Sequence, residues 1–126
     1  MDSRVQEAQR LKWEIDLLHQ QGADRTALPL RRKMAELHED RAKELLSARD
    51  PDGWIDLYAA ITAWGKAGMK GDAYRLITQG RQTISSFTEG RKNLEEALGE
   101  LQDWLDALPV VPSLRDFDRP LPHVPG

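Results

Sequence analysis

The chain of 126 residues contains no cysteine. Disulfides and thiolate metal sites are therefore excluded, and a cytoplasmic setting is permitted. No stretch approaches the roughly 18 apolar residues of a membrane span. The opening Met1-Asp-Ser-Arg-Val-Gln-Glu7 lacks the apolar run of a signal peptide. The expectation is a soluble, cytoplasmic protein with no membrane partner. A basic excess is missing too. The net charge of -3 disfavours nucleic acid as a partner, because a general binder needs a cationic face to release counterions. Motifs that dictate chemistry are also absent. There is no His-Glu-x-x-His, no Gly-x-Ser-x-Gly elbow and no phosphate-binding Gly-Lys-Ser/Thr. His19, His38 and His123 lie far apart on different segments. The expectation is no metal, no cofactor and no enzyme.

Aromatics are sparse at 6%, yet four are tryptophan, so a few large rings must anchor the packing. Hydrophobic content of 40% beside 31% charge is a globular composition, and the length suits one domain.

The stretch from Asp52 to Gly68 organises the rest. Wound at about 100° per residue, it gathers Trp54, Leu57, Tyr58, Ile61 and Trp64 in one apolar arc. Ile55, Ala59, Ala60 and Ala63 fill most of the remainder, leaving Asp56 and Lys66 as interruptions. A helix apolar nearly all round is buried on several sides. Asp52 is its expected cap and Gly68 its stop.

Around it four further helices are predicted. The first runs from Ser3, as cap, to about Gln21, with Gly22 as its left-handed stop. Its stripe is Ala8, Leu11, Ile15 and Leu18, while Trp13 and Leu17 fall nearly opposite. Two apolar faces mean either that Trp13 covers the edge of the core or that one face is left for a partner. The second helix has Pro29 in its first turn, where the missing N–H costs nothing. Its expected face is Leu30, Met34, Leu37, Leu45 and Ala48. His38 borders that face and Arg41 falls on it, as a snorkelling stem or a buried ion-pair partner. Glu36, Glu39, Asp40, Lys43 and Glu44 read as a solvated face. Asp50-Pro-Asp-Gly53 then breaks the chain. The fourth helix, capped by Asp72, carries Ala73, Leu76, Ile77 and Ile84, with Gly80 as a close-packing position. A short turn makes it an antiparallel hairpin with the central helix. Ser86-Phe-Thr-Glu89 has capping-box spacing, which favours a break there over one continuous helix. The fifth helix repeats Leu94, Leu98, Leu101, Leu105 and Leu108 at spacings of four and three.

The expected fold is all-α: a compact bundle of about five helices over 1–108, followed by an extended proline-rich tail over 109–126. Pro109, Pro112, Pro120, Pro122 and Pro125 punctuate that tail, and Val110, Val111, Leu114 and Phe117 are candidates to dock on the bundle.

Charge supplies the candidate site. Glu95, Glu96, Glu100, Asp103 and Asp106 lie opposite the leucine stripe of the fifth helix, with no Lys or Arg among them. Several sit near the helix C-terminus, where the macrodipole disfavours negative charge by a few tenths of a kcal/mol each. Local stability does not explain them. They read either as a solvating face or as a surface that steers a basic partner protein.

Two resemblances bear on this. Tyr58-Ala-Ala-Ile61, Ala63-Trp-Gly-Lys-Ala-Gly68, Ala73 and Leu76-Ile77 resemble one helical hairpin of the tetratricopeptide or pentatricopeptide class, over residues 54–80. The first class implies protein binding and the second RNA binding. Arg31 and Arg32, seven and six residues before His38, resemble the motif of HEPN-type ribonucleases. That likeness implies a helical, dimeric ribonuclease. Arg31 falls on the same side of its helix as His38; Arg32 does not.

The combined reading is a non-enzymatic protein-interaction module, an adaptor, inhibitor or immunity-type protein. Its candidate contact residues are Glu95, Glu96, Glu100, Asp103 and Asp106, with Trp13 and Leu17. The alternatives are a self-assembling helical protein that forms a homodimer through Trp13 and Leu17, and an HEPN-like ribonuclease.

Overall fold

The computed structural model describes residues 2–87 and 90–109. Five helices follow in chain order: α1 (Ser3–Gln20), α2 (Asp24–Ser47), α3 (Gly53–Lys66), α4 (Lys70–Ile84) and α5 (Arg91–Ala107). No strand occurs among the described residues, so the fold is all-α as expected. The tail beyond Pro109, with its docking candidates Val110, Val111, Leu114 and Phe117, lies outside the described residues.

The helices end where glycine was expected to end them. After α1, Gly22 takes φ 72° and the Ala23 N–H reaches back to the Leu18 carbonyl at 2.8 Å. After α3, Gly68 takes φ 77° and the Met69 N–H reaches the Trp64 carbonyl at 2.9 Å. Both loops satisfy carbonyls that the helix leaves unpaired. After α2 the same closure is made with Arg49 at φ 58°, a conformation that glycine adopts without strain and arginine does not.

The starts differ more from expectation. Asp2, not Ser3, caps α1: its Oδ1 accepts the Arg4 N–H at 2.9 Å. Asp52 and Asp72 make no side-chain cap. Asp50 orders the α2–α3 turn instead, accepting the Asp52 N–H at 3.0 Å, and Asp72 lies within the first turn of α4. Pro29 is the sixth residue of α2, beyond the first turn. The earlier start buries Ala27 and Leu28, which offsets the hydrogen bond that Pro29 cannot donate. The α4–α5 break is real, with Gly90 at φ 74° before α5. Arg91 closes this turn by donating to the Phe87 and Ser85 carbonyls at 2.6 and 2.9 Å. Glu89 of the expected capping box lies outside the described residues.

Packing follows chain order. α1 lies on α2, α2 on α3, α3 on α4 and α4 on α5, and α3 also reaches α5. α3 is central as predicted, but α1 packs chiefly on α2 rather than around α3. The main core joins Trp54, Leu57, Ile61 and Trp64 of α3 to Leu76, Ile77 and Ile84 of α4, Leu98 and Leu105 of α5, and Ala35 and Ala42 of α2. The buried side of α2 is Ala27, Leu28, Ala35, Glu39 and Ala42. Leu30, Met34, Leu37 and Leu45, expected to form it, are half-buried, and Ala48 is exposed. The small residues of α2 let α3 approach closely; the leucines flank that contact. Gly65 does the same for α5, since a Cβ there would stand 2.8 Å from Leu105 Cδ2 and from the Trp104 ring.

Candidate functional site

On α5 the amphipathic pattern divides as its spacing requires. Leu98 and Leu105 are buried, and Leu94, Leu101 and Leu108 are half-buried against the core. Glu95, Glu96, Glu100, Asp103 and Asp106 are all exposed. Asp106 accepts a hydrogen bond from the Tyr74 hydroxyl. This contact, ahead of burial, raises the tyrosine's pKa by favouring its protonated form. Among the described residues, no ion pair engages Glu95, Glu96, Glu100 or Asp103.

On α1, Trp13 is 66% exposed and Leu17 is exposed beside it, one turn on. Trp13 therefore does not cover the edge of the core. The charges around it are satisfied within the helix: Arg10 bridges Glu7 and Glu14, and Lys12 pairs with Asp16 at 2.9 Å. Ile55, assigned by its pattern to the interior of α3, is 70% exposed.

Two carboxylates inside the bundle were not foreseen as structural centres. Glu39, expected on a solvated face, is only 9% exposed. It accepts from Trp64 Nε1 at 3.1 Å, Arg75 at 2.8 Å and Lys43 at 2.8 Å. Burial pushes its pKa up, but the bonds from Arg75 and Lys43 outweigh this and hold it below the ordinary value. Asp56, the polar interruption of α3, is 8% exposed. It meets His38 Nδ1 at 3.0 Å and Arg41 Nε at 3.2 Å. Arg41 is thus an ion-pair partner, not a snorkelling stem. The chain of charges continues from Arg41 to Asp2, which also pairs with Arg4 at 2.7 Å, and from Arg4 to Glu44. Hydrogen bonds from Arg4 hold the Asp2 carboxyl at about 2.

Arg31 and His38 line one cleft of about 360 Å³ between α1, α2 and α3, together with Lys12, Asp16, Tyr58, Thr62 and Lys66. Arg32 points its charge elsewhere, to Glu36 at 3.3 Å. A second cavity of about 410 Å³ lies between α2, α3 and α4, floored by Leu57 and Leu76 and rimmed by Lys43, Arg49 and Thr83. Among the described residues, no group of three His, Asp or Glu side chains is placed to hold a metal, and no helix is long and apolar enough to cross a membrane.

No protein-family model matches the chain, and neither does any curated protein or solved structure. The geometry of its own side chains therefore carries the functional argument.

Proposed function

We propose that the chain is a non-enzymatic protein-interaction module whose acidic α5 face binds a basic surface on a partner protein, in the manner of an adaptor or inhibitor. One observation carries this reading: Glu95, Glu96, Glu100 and Asp103 stand exposed on one helix with no ion-pair partner among the described residues. Unpaired charges of one sign repel one another and gain nothing from the α5 dipole. A cationic partner relieves that repulsion and is steered towards it. The likeness of residues 54–80 to a tetratricopeptide-type hairpin points the same way. The test compares the intact chain with its Glu100→Lys/Asp103→Lys variant as baits against native-host lysate. Basic proteins captured by the parent at low salt should be lost from the variant, while the melting transition stays unchanged. Equal capture by both baits refutes the acidic-face reading.

A second reading, self-association, is favoured by the exposure of Trp13 beside Leu17. A tryptophan this exposed leaves a large apolar area in water. Light scattering at high micromolar concentration decides it: a monomer there rules the homodimer out.

A further inference from the structure

We propose that the cleft between α1, α2 and α3 binds a hydroxylated phosphate monoester, of the sugar-phosphate class, with Arg31 and Lys66 as its charge-neutralising residues. Four fixed charges line the cleft: Lys12, Asp16, Arg31 and Lys66. Lys12 and Asp16 pair with each other at 2.9 Å. Arg31 and Lys66 make no ion pair within 4.0 Å among the described residues. The four charges sum to +2, with Arg31 also close enough to Asp16 to act on its carboxylate. That net charge matches a dianion, and a phosphate monoester carries roughly -1.5 to -2 charges at neutral pH. A carboxylate carries one and neutralises only half of it.

The rest of the wall suits a body that donates hydrogen bonds. The Asp56 carboxylate has only lone pairs to offer, so His38 Nδ1 must donate to it. In the neutral ring this leaves Nε2 as an acceptor, held in orientation by a buried group. Thr62 donates its hydroxyl proton to the Tyr58 carbonyl at 2.8 Å, so its oxygen too remains an acceptor. The Tyr58 hydroxyl is buried beside the cleft with no partner among the described residues. Ile15, Met34, Ala59 and Ala63 supply the apolar part of the lining. The cleft adjoins a wider groove of about 800 Å³, which shares Asp16, Arg31 and Lys66 with it. The two cations therefore stand, with Asp16, where the cleft and the groove meet, and His19, Asp24 and Arg25 line the groove beyond them. Volumes of this order suit small ligands.

Isothermal titration of the full chain with ribose 5-phosphate, ribose and inorganic phosphate tests this. Ribose 5-phosphate should bind with 1:1 stoichiometry, inorganic phosphate more weakly, and ribose not measurably. Arg31→Ala and Lys66→Ala should each weaken ribose 5-phosphate about tenfold, the order of one charge-assisted contact. Arg49→Ala, at the cavity on the other side of α2, should bind like the parent. His38→Gln should weaken ribose 5-phosphate but not inorganic phosphate, which separates an acceptor for the ligand body from a charge. No saturable heat up to about 10 mM, weaker than any affinity of use, overturns the proposal. So does an equal loss in Arg49→Ala, which would mark the binding as unspecific charge attraction.

Discussion

Replacing Glu39 with alanine removes one acceptor from three donors, and the cost differs for each. Trp64 is buried, and its indole N–H would be left without a partner; such an orphan costs about 1–3 kcal/mol. Arg75 and Lys43 both reach solvent, and Arg75 keeps Asp72 at 3.3 Å. Their pairs are therefore worth only about 0–1 kcal/mol each. The lost methylene packing adds roughly another 1 kcal/mol. The expected destabilisation is about 2–6 kcal/mol, a large share of the roughly 5–15 kcal/mol available to a domain. In urea at neutral pH the midpoint should fall by roughly 1–3 M. Glu39→Gln keeps the acceptor for Trp64 and loses only the charge, so its deficit should be nearer 1 kcal/mol. That smaller deficit should depend on pH. The folded pKa of Glu39 lies below the ordinary 4.5. Its charge therefore stabilises the fold fully above that value, and the contribution is lost as pH falls through the lowered folded pKa. The gap between the parent and Glu39→Gln should close on acidification. An unchanged urea midpoint for Glu39→Ala refutes the assignment of Glu39 as a buried hub. A gap equally wide at pH 7 and in acid refutes the charge argument.

Two further substitutions probe the packing. Gly65→Ala should destabilise by about 1–2 kcal/mol net, because overpacking against the fully buried Leu105 exceeds the gain in helix propensity. Gly99→Ala, where a Cβ meets nothing within 4 Å, should stabilise by up to about 1 kcal/mol; thermal melts that rank the two alike contradict the α3–α5 packing. Leu98→Ala should cost about 2–5 kcal/mol by chemical denaturation, since Leu98 is fully buried in the main core.

Helix number and helix ends were legible because they rest on local rules. Gly22, Gly68 and Gly90 take positive φ at three of the four junctions where a break was expected, and Arg49 does so at the fourth. The α5 stripe was legible because one leucine periodicity set both the buried and the exposed face. The buried side of α2 was misjudged for a physical reason. Hydrophobicity favours Leu30, Met34 and Leu37, but Ala35 and Ala42 are what let a second helix come close. Glu39 looks like an ordinary surface acid in sequence, and Asp56 stands out only as a polar interruption of the apolar α3. Their partners Arg75 and Arg41 lie 36 and 15 positions away, and no local pattern announces that pairing. The cleft was hidden similarly, since α1, α2 and α3 each contribute one or two of its charges.

The chain-ordered stacking has a consequence for how the molecule opens. Leu11 and Ile15 of α1 are buried but stand outside the main core cluster. α1 is thus held chiefly by α2, an arrangement that favours its local opening at a free energy below that of global unfolding. Its departure takes Lys12, Ile15 and Asp16 away and dismantles one wall of the cleft. Docking of α1 and occupation of the cleft are therefore one linked equilibrium: whatever fills the cleft clamps the first helix, and whatever loosens that helix empties the cleft.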